Sequence, residues 1–392
     1  MLPAIFLTVV VDLVGFGLIL PLLPFYAASY GASPFLVALL SATFSIAQFL
    51  SAPLLGALSD RRGRRPVFLG CILLTIAGYV WLAAADTLLA IFLARIISGI
   101  GSGKIGIAQA IIADSTPPEK RARGMGLIGG AFGIGMILGP LIGGLLVGPD
   151  PLHPNYALPA LAAAGASVIA LGLAMATIRE TRTAAGGGAG PLWRNPFDGL
   201  PQLGRTTLGL IVIGFAINFV FSQIEVLFPL FTAARLGWHA WEVGLAFTFI
   251  GSIVLSVQGI LIGPLTRIFG ERRLLTWGMF SLAVGAALTE IVTSTPWMAV
   301  SILLTASGLA TIMPSLSSLV SRSADAARQG LALGGAQSLG ALGRAAGPAW
   351  GGWLFESGGI TLPYWIGAAI LLLTLAGGWR IIHARLPQEA LA

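Results

Sequence analysis

Apolar residues run along this chain in nearly continuous stretches of about twenty positions or more, each closed by a short polar segment rich in arginine, proline or glycine. At ~1.5 Å of rise per residue, a helix of that length crosses a hydrocarbon core of ~30 Å. The pattern therefore predicts spanning helices rather than barrel strands, near residues 3–28, 35–58, 66–85, 88–113, 123–147, 157–178, 206–233, 241–263, 273–293, 296–319, 329–355 and 361–383. Charges are so scarce that Asp12 is the only one in the first 58 residues.

Composition agrees with this pattern. With 56% hydrophobic residues, 9% charged residues and a mean hydropathy of +0.91, most of the chain has lipid as its solvent. The expected fold class is an all-α membrane protein. A net charge of +7 would suggest nucleic acid in a soluble protein, but here its placement matters more. If the N-terminus is cytoplasmic, the inner segments hold Arg61, Arg62, Arg64, Arg65, Lys120, Arg121, Arg123, Arg179, Arg182, Arg194, Arg205, Arg267, Arg272, Arg273, Arg322, Arg328, Arg380 and Arg385, and the outer ones only Arg235. That asymmetry fits twelve spans with both termini inside, and no nucleic-acid partner is expected. The first apolar stretch lacks a basic leader and runs through Asp12, so it reads as the first helix and not a cleavable signal. Cys71 is the single cysteine, and no cluster has metal-ligand spacing, so neither disulfide, metal nor cofactor is expected.

Residues 179–205 form the longest polar stretch and read as a flexible linker between residues 1–178 and 206–392. The two parts are related. An offset of 208 lays 133–146 over 341–354 and matches Gly135, Gly139, Pro140, Gly143 and Gly144 with Gly343, Gly347, Pro348, Gly351 and Gly352. An offset of 207 lays 56–65 over 263–272. Two six-helix bundles related by pseudo-symmetry are the architecture of alternating-access carriers.

These residues carry a resemblance that spans nearly the whole chain. It resembles the major facilitator superfamily, and within it the twelve-helix drug:proton antiporters of the tetracycline-efflux type. Gly56-Ala-Leu-Ser-Asp60-Arg61-Arg-Gly63-Arg64-Arg65 fits the family's loop between helices two and three, which pairs with an acid ending helix four, here Asp114. The resemblance implies conformational gating by these residues. Physically, Gly56 permits close helix approach, Asp60 accepts hydrogen bonds, and the arginines bridge carboxylates. Gly135-x-x-x-Gly139-Pro140-x-x-Gly143-Gly144 is similar to the family's antiporter motif in helix five, and so implies export; by itself it also fits plain helix packing.

Charge inside the membrane costs at least ~2.5 kcal/mol per group and demands a reason. The candidates are Asp12, Arg95, Lys104, Glu225 and Arg344. In tetracycline exporters an acid stands at the place of Asp12 and a basic residue at that of Arg95, whereas Lys104 departs from their pattern. Counting from the inner ends puts Asp12 level with Lys104, and Glu225 level with Arg344, so both could pair. Lys104 reads as a countercharge for Asp12, a titrating group or a ligand for an anionic substrate. Glu225 reads either as the partner of Arg344 or as a site for a cation or proton. With no histidine expected within a span, Asp12 is the first candidate for proton coupling and Glu225 the second. Gln109, Asn218, Ser222, Gln223, Phe16 and Phe25 join Arg95, Lys104 and Arg344 as candidate cavity residues, although such side chains also serve as interhelical glue.

The expected function is a proton-coupled antiporter of a bacterial inner membrane, monomeric, exporting drugs or small amphipathic molecules. An uptake or lipid carrier on the same scaffold is the alternative. Nothing suggests an enzyme, since no nucleophile–base pair is evident, and the GIGSGK run at 99–104 lacks phosphate-loop spacing.

Overall fold

The computed structural model describes residues 2–116, 121–148, 154–181, 197–325 and 328–384, with backbone alone at residues 2, 4 and 121–128. Linker residues 182–196, Lys120, His153 and Arg385 lie outside the described residues, as do the side chains of Arg121 and Arg123.

Fifteen α-helices form the described chain, and they make twelve rods. The first rod is α1 (Leu2–Ile19) and α2 (Leu23–Ser29); it is followed by α3 (Pro34–Arg62) and α4 (Arg64–Ala83). The fourth rod is α5 (Leu88–Gly101) and α6 (Lys104–Ser115); α7 (Arg121–Val147) and α8 (Ala157–Thr177) complete the first six. Then come α9 (Arg205–Leu236), the joined α10 (Ala240–Ser256) and α11 (Ile262–Phe269), α12 (Glu271–Ile291), α13 (Thr295–Ser323), α14 (Gln329–Gly358) and α15 (Leu362–Ile382).

Three rods expected as continuous are interrupted, each for a local reason. The first breaks over residues 20–22, where Pro21 lacks an N–H and cannot continue the hydrogen-bond ladder. The fourth breaks at Ser102 and Gly103. There Ser102 Oγ donates to the Gly99 carbonyl at 2.7 Å, and a Cβ on Gly101 would meet the Cys71 carbonyl at 2.8 Å. Between α10 and α11, Val257–Leu261 form a π-helical turn, and Gln258 Nε2 donates to the Ala310 carbonyl at 3.3 Å.

Eleven rods are long and apolar enough to span a membrane. The remaining one, α14, has the length, but its glycines, tryptophans and Arg344 lower its hydropathy. Its small residues are spent on contact: a Cβ on Gly343 would lie 2.8 Å from the Phe215 carbonyl of α9, and one on Gly351 2.7 Å from Gln223 Cβ.

Contacts divide the chain into two units. Unit 1 is Met1–Ala32, Thr43–Arg194 and Trp238–Gly251; unit 2 is Ser33–Ala42, Asn195–Gly237 and Ser252–Ala392. This departs from a simple division at the linker, because the first turns of α3 and most of α10 join the opposite sequence half. Within unit 1, α10 lies on α7, with the Cβ position of Gly244 2.7 Å from the Pro140 carbonyl and that of Gly251 2.8 Å from the Met136 carbonyl. Within unit 2, Glu356 of α14 accepts from Ser33 Oγ at 3.2 Å and from the Phe35 N–H at 3.3 Å. The described second end of the linker is packed: Leu203 is buried, and Leu200–Gln202 form a 3-10 turn.

Candidate transport site

In unit 1 the loop between α3 and α4 closes a network of charges. Gly63 turns the chain with φ +100°, a conformation open mainly to glycine. Arg64 reaches Asp60 Oδ1 at 2.7 Å and Asp114 Oδ2 at 3.2 Å, and donates to Ser59 Oγ at 2.8 Å. One guanidinium thereby ties together α3, α4 and α6. Glu180 accepts the backbone N–H of Arg64 at 2.8 Å and of Arg65 at 3.1 Å, placing a carboxylate on the free N–H groups that begin α4. Arg65 Nη2 donates to the Met175 carbonyl at 2.8 Å, while Arg61 is exposed. Gly56 differs from expectation. Its Cβ position faces open space, so no helix uses it for close approach within the described residues.

Unit 2 repeats part of the arrangement with the charges reversed. The offsets of 207 and 208 carry Asp60, Arg64 and Asp114 to Arg267, Glu271 and Arg322. Gly270, at φ +77°, opens α12 as Gly63 opens α4. Glu271 accepts from Arg322 Nη1 at 3.0 Å and from Ser318 Oγ at 2.5 Å, and Arg272 Nη2 donates to the Ala384 carbonyl at 2.7 Å.

The glycine motif of α7 works on two faces. Cβ atoms on Gly135, Gly139 and Gly143 would lie 2.7 Å from Leu13 C, 2.5 Å from Gly17 Cα and 2.5 Å from the Leu18 carbonyl oxygen of α1. Pro140 and Gly144 instead face α10, where Gly144 meets the Trp241 ring. Contact between backbones leaves α1 little room to shift, and α1 carries Asp12.

Asp12 and Lys104 form an ion pair at 2.7 Å, 8% and 5% exposed respectively. Lys104 Nζ also donates to Thr75 Oγ1 at 2.6 Å, and that hydroxyl donates to the Cys71 carbonyl at 3.0 Å. The break at Ser102 and Gly103 makes Lys104 the first residue of α6, so the helix interruption and the buried charge coincide. Arg95, 3% exposed, makes a different contact: its guanidinium carbon sits 4.2 Å above the Phe44 ring, a cation–π arrangement, and its Nε has no hydrogen-bond partner among the described residues. Phe16 lies against that same ring at 5.8 Å between centroids. Gln109 is exposed on α6. Phe25 is elsewhere, lining a pocket of about 400 Å³ with Tyr156, Trp241 and Glu242, where burial pushes the Tyr156 phenol up to about 12.

In unit 2, no ion pair joins Glu225 to Arg344. Arg344 Nη1 instead donates to Asn218 Oδ1 at 3.0 Å. Asn218 precedes Glu225 by seven residues, about 10 Å along α9, and Glu225 stays within electrostatic reach of the Arg344 guanidinium. Asn218 Nδ2 donates to the Gly214 carbonyl at 2.8 Å. Ser222 and Gln223 are buried as interhelical bonds: Ser222 Oγ to the Gly343 carbonyl at 3.4 Å, and Gln223 Nε2 to the Pro363 carbonyl at 3.0 Å. Three residues central to these networks were not singled out in the sequence: Glu180, Thr75 and Phe44. Glu180 had a signal, since an acid follows α8 where the basic end of α4 needs one.

Twelve helical rods, a repeated turn motif and charges buried within the spans define a polytopic carrier. The chain belongs to the Major Facilitator Superfamily, whose family model matches residues 5–267 and again 248–390. It is 33% identical over 396 residues to the class C tetracycline resistance protein of Escherichia coli, covering 95% of this chain and 96% of that one. Identity to the human Major facilitator superfamily domain-containing protein 10 is 30% over 402 residues, covering 88% and 85%. The crystal structure of that human organic anion transporter superposes with a TM-score of 0.74 at 26% identity, covering 97% and 98%. A POT family transporter shares the fold with a TM-score of 0.80 at 15% identity, covering 97% and 96%. The protein is thus a multi-pass membrane transporter of small molecules and not an enzyme.

Proposed function

We propose that the protein is a proton-coupled antiporter exporting a drug or small amphipathic compound by alternating access. The observation that carries this reading is the buried Asp12–Lys104 pair, an intramembrane ion pair between α1 and α6. A carboxylate held inside a span can serve either its resident partner or a substrate, and that exclusion is what exchange requires. Glu225, half-buried and unpaired with Arg344, is a second acid available to a proton. Arg95, Lys104, Gln109, Asn218, Ser222, Gln223, Arg344, Phe16 and Phe25 are the cavity candidates. Residues 1–178 and 206–392 are the rocking bodies, joined by 179–205. The Asp60–Arg64–Asp114 network, with Gly63, Arg65 and the α7 motif, is the latch. The relatives named for tetracycline resistance and the α7 motif support export. The protein resides, on this reading, as a monomer in a bacterial cytoplasmic membrane with both termini inside, as the placement of arginines favours.

A second reading, a carrier of organic anions, is favoured by Arg95 and Arg344, neither of which has a carboxylate at ion-pair distance among the described residues, and by the organic anion relative. Expression in a drug-sensitive bacterium separates the two. Antiport export predicts raised tolerance to tetracycline or another amphipathic drug, abolished by a protonophore. Unchanged tolerance together with anion accumulation overturns it.

A further inference from the structure

We infer that the exchanged proton rides on the Lys104 side-chain nitrogen, with Asp12 as the carboxylate for which Lys104 and the substrate compete. This rests on the antiport reading and deepens it by naming the proton carrier. The groups facing Lys104 are few. Asp12 comes from α1, and Thr75 and Cys71 from α4; Tyr79 of α4 lies within electrostatic reach of Asp12 and of Arg95 of α5, which itself stacks on Phe44. The described side chains of α7 and α8 bring no titratable group, and α3 has none before Asp60.

Placing a proton on Asp12 would leave the Lys104 ammonium buried with no carboxylate beside it, in a bundle that already buries the Arg95 guanidinium. Removing one from Lys104 leaves a neutral amine that still donates to Thr75 Oγ1, and Asp12 remains available to a donor group of the substrate. The second arrangement buries less uncompensated charge. Arg95 cannot discharge, so among the two cations only lysine can give up a proton. The composition points the same way: Lys104 and Lys120 are the only lysines among 22 basic residues, so arginine serves nearly everywhere else.

The cycle balances. Substrate entering from inside takes Asp12; an N–H bond of the Lys104 ammonium breaks, and its proton passes to inner water. After substrate leaves on the outer side, outer water returns a proton to the amine lone pair and the ammonium pairs again with Asp12. One proton moves in for each substrate molecule moved out.

Two lysines make the test direct. In protein labelled with ¹⁵N at the lysine side chains, two resonances are assigned through Lys120→Arg. Lys104 should be an ammonium in the wild type and an amine in Asp12→Asn at the same neutral pH. An ammonium in both overturns the proposal. Lys104→Arg keeps a cation on Asp12 that cannot discharge, and in proteoliposomes it should lose tetracycline-driven proton flux. Proton flux equal to that of a coupled wild type also overturns the proposal. A wild type without tetracycline-driven flux counts against tetracycline antiport itself, and the resonance of Lys104 still decides the carrier.

Discussion

Replacing single glycines of α7 by alanine tests whether backbone contact with α1 holds the site together. Carbon atoms rest comfortably about 3.5–4.0 Å apart. The added methyl of Gly139→Ala would lie 2.5 Å from Gly17 Cα, and that of Gly143→Ala 2.5 Å from the Leu18 oxygen, both of them backbone atoms that no rotamer change can move. The helices must therefore separate by about 1 Å, and overpacking of this kind costs roughly 1–3 kcal/mol. Gly165 and Gly172 of α8 are the controls, since both are exposed with nothing within 4 Å of the Cβ position. Alanine there gains up to about 0.5–1 kcal/mol from helix propensity. Reversible unfolding in mixed micelles, read by tryptophan fluorescence, should separate the two sets by at least about 1.5 kcal/mol, roughly a tenfold change in the unfolding constant. If Gly139→Ala is as stable as Gly172→Ala, the α1–α7 contact does not hold this site.

Three further outcomes are expected. Asp12→Asn removes the carboxylate beside Lys104 and should abolish gradient-driven transport while membrane insertion persists, which vesicle transport and a detergent-solubilised size profile together report. Gly63→Ala forces a side chain into φ +100° against Glu180 and should cost about 1–3 kcal/mol, measured by the same unfolding assay, with Glu180→Gln milder because a neutral acceptor remains. Arg64→Gln severs α4 from Asp60 and Asp114 and should slow turnover at saturating substrate more than it weakens binding; a loss of affinity alone would contradict the latch role.

The helical rods were legible because membrane spans leave a long apolar signature that no neighbouring residue can mask. The rod least apparent to hydropathy, α14, is the one whose glycines pack on α9, so its composition reports contact with protein rather than with lipid. The pairing of Asp12 with Lys104 could be anticipated from depth along two helices running in opposite directions. The same count put Glu225 level with Arg344 and left open whether the two pair, because depth cannot say which way a long guanidinium turns once Asn218 offers an acceptor. Thr75 and Phe44 were silent for a related reason: a hydroxyl and a ring acquire their roles only from what the fold sets beside them, whereas Glu180 could have been found from its place after α8. The breaks at Pro21 and Ser102 lie at residues known to weaken helices, yet apolar length alone reads through them.

The central claim is that substrate and proton exchange through the buried charges of α1 and α6. It is tested most directly by the internal pH of proteoliposomes holding the purified protein and a preset proton gradient, with tetracycline added first and then cationic, neutral and anionic compounds in turn. The account predicts substrate-dependent proton movement opposite to the substrate, absent in Asp12→Asn. Proton movement in the same direction as the substrate, or undiminished flux in Asp12→Asn, would contradict it.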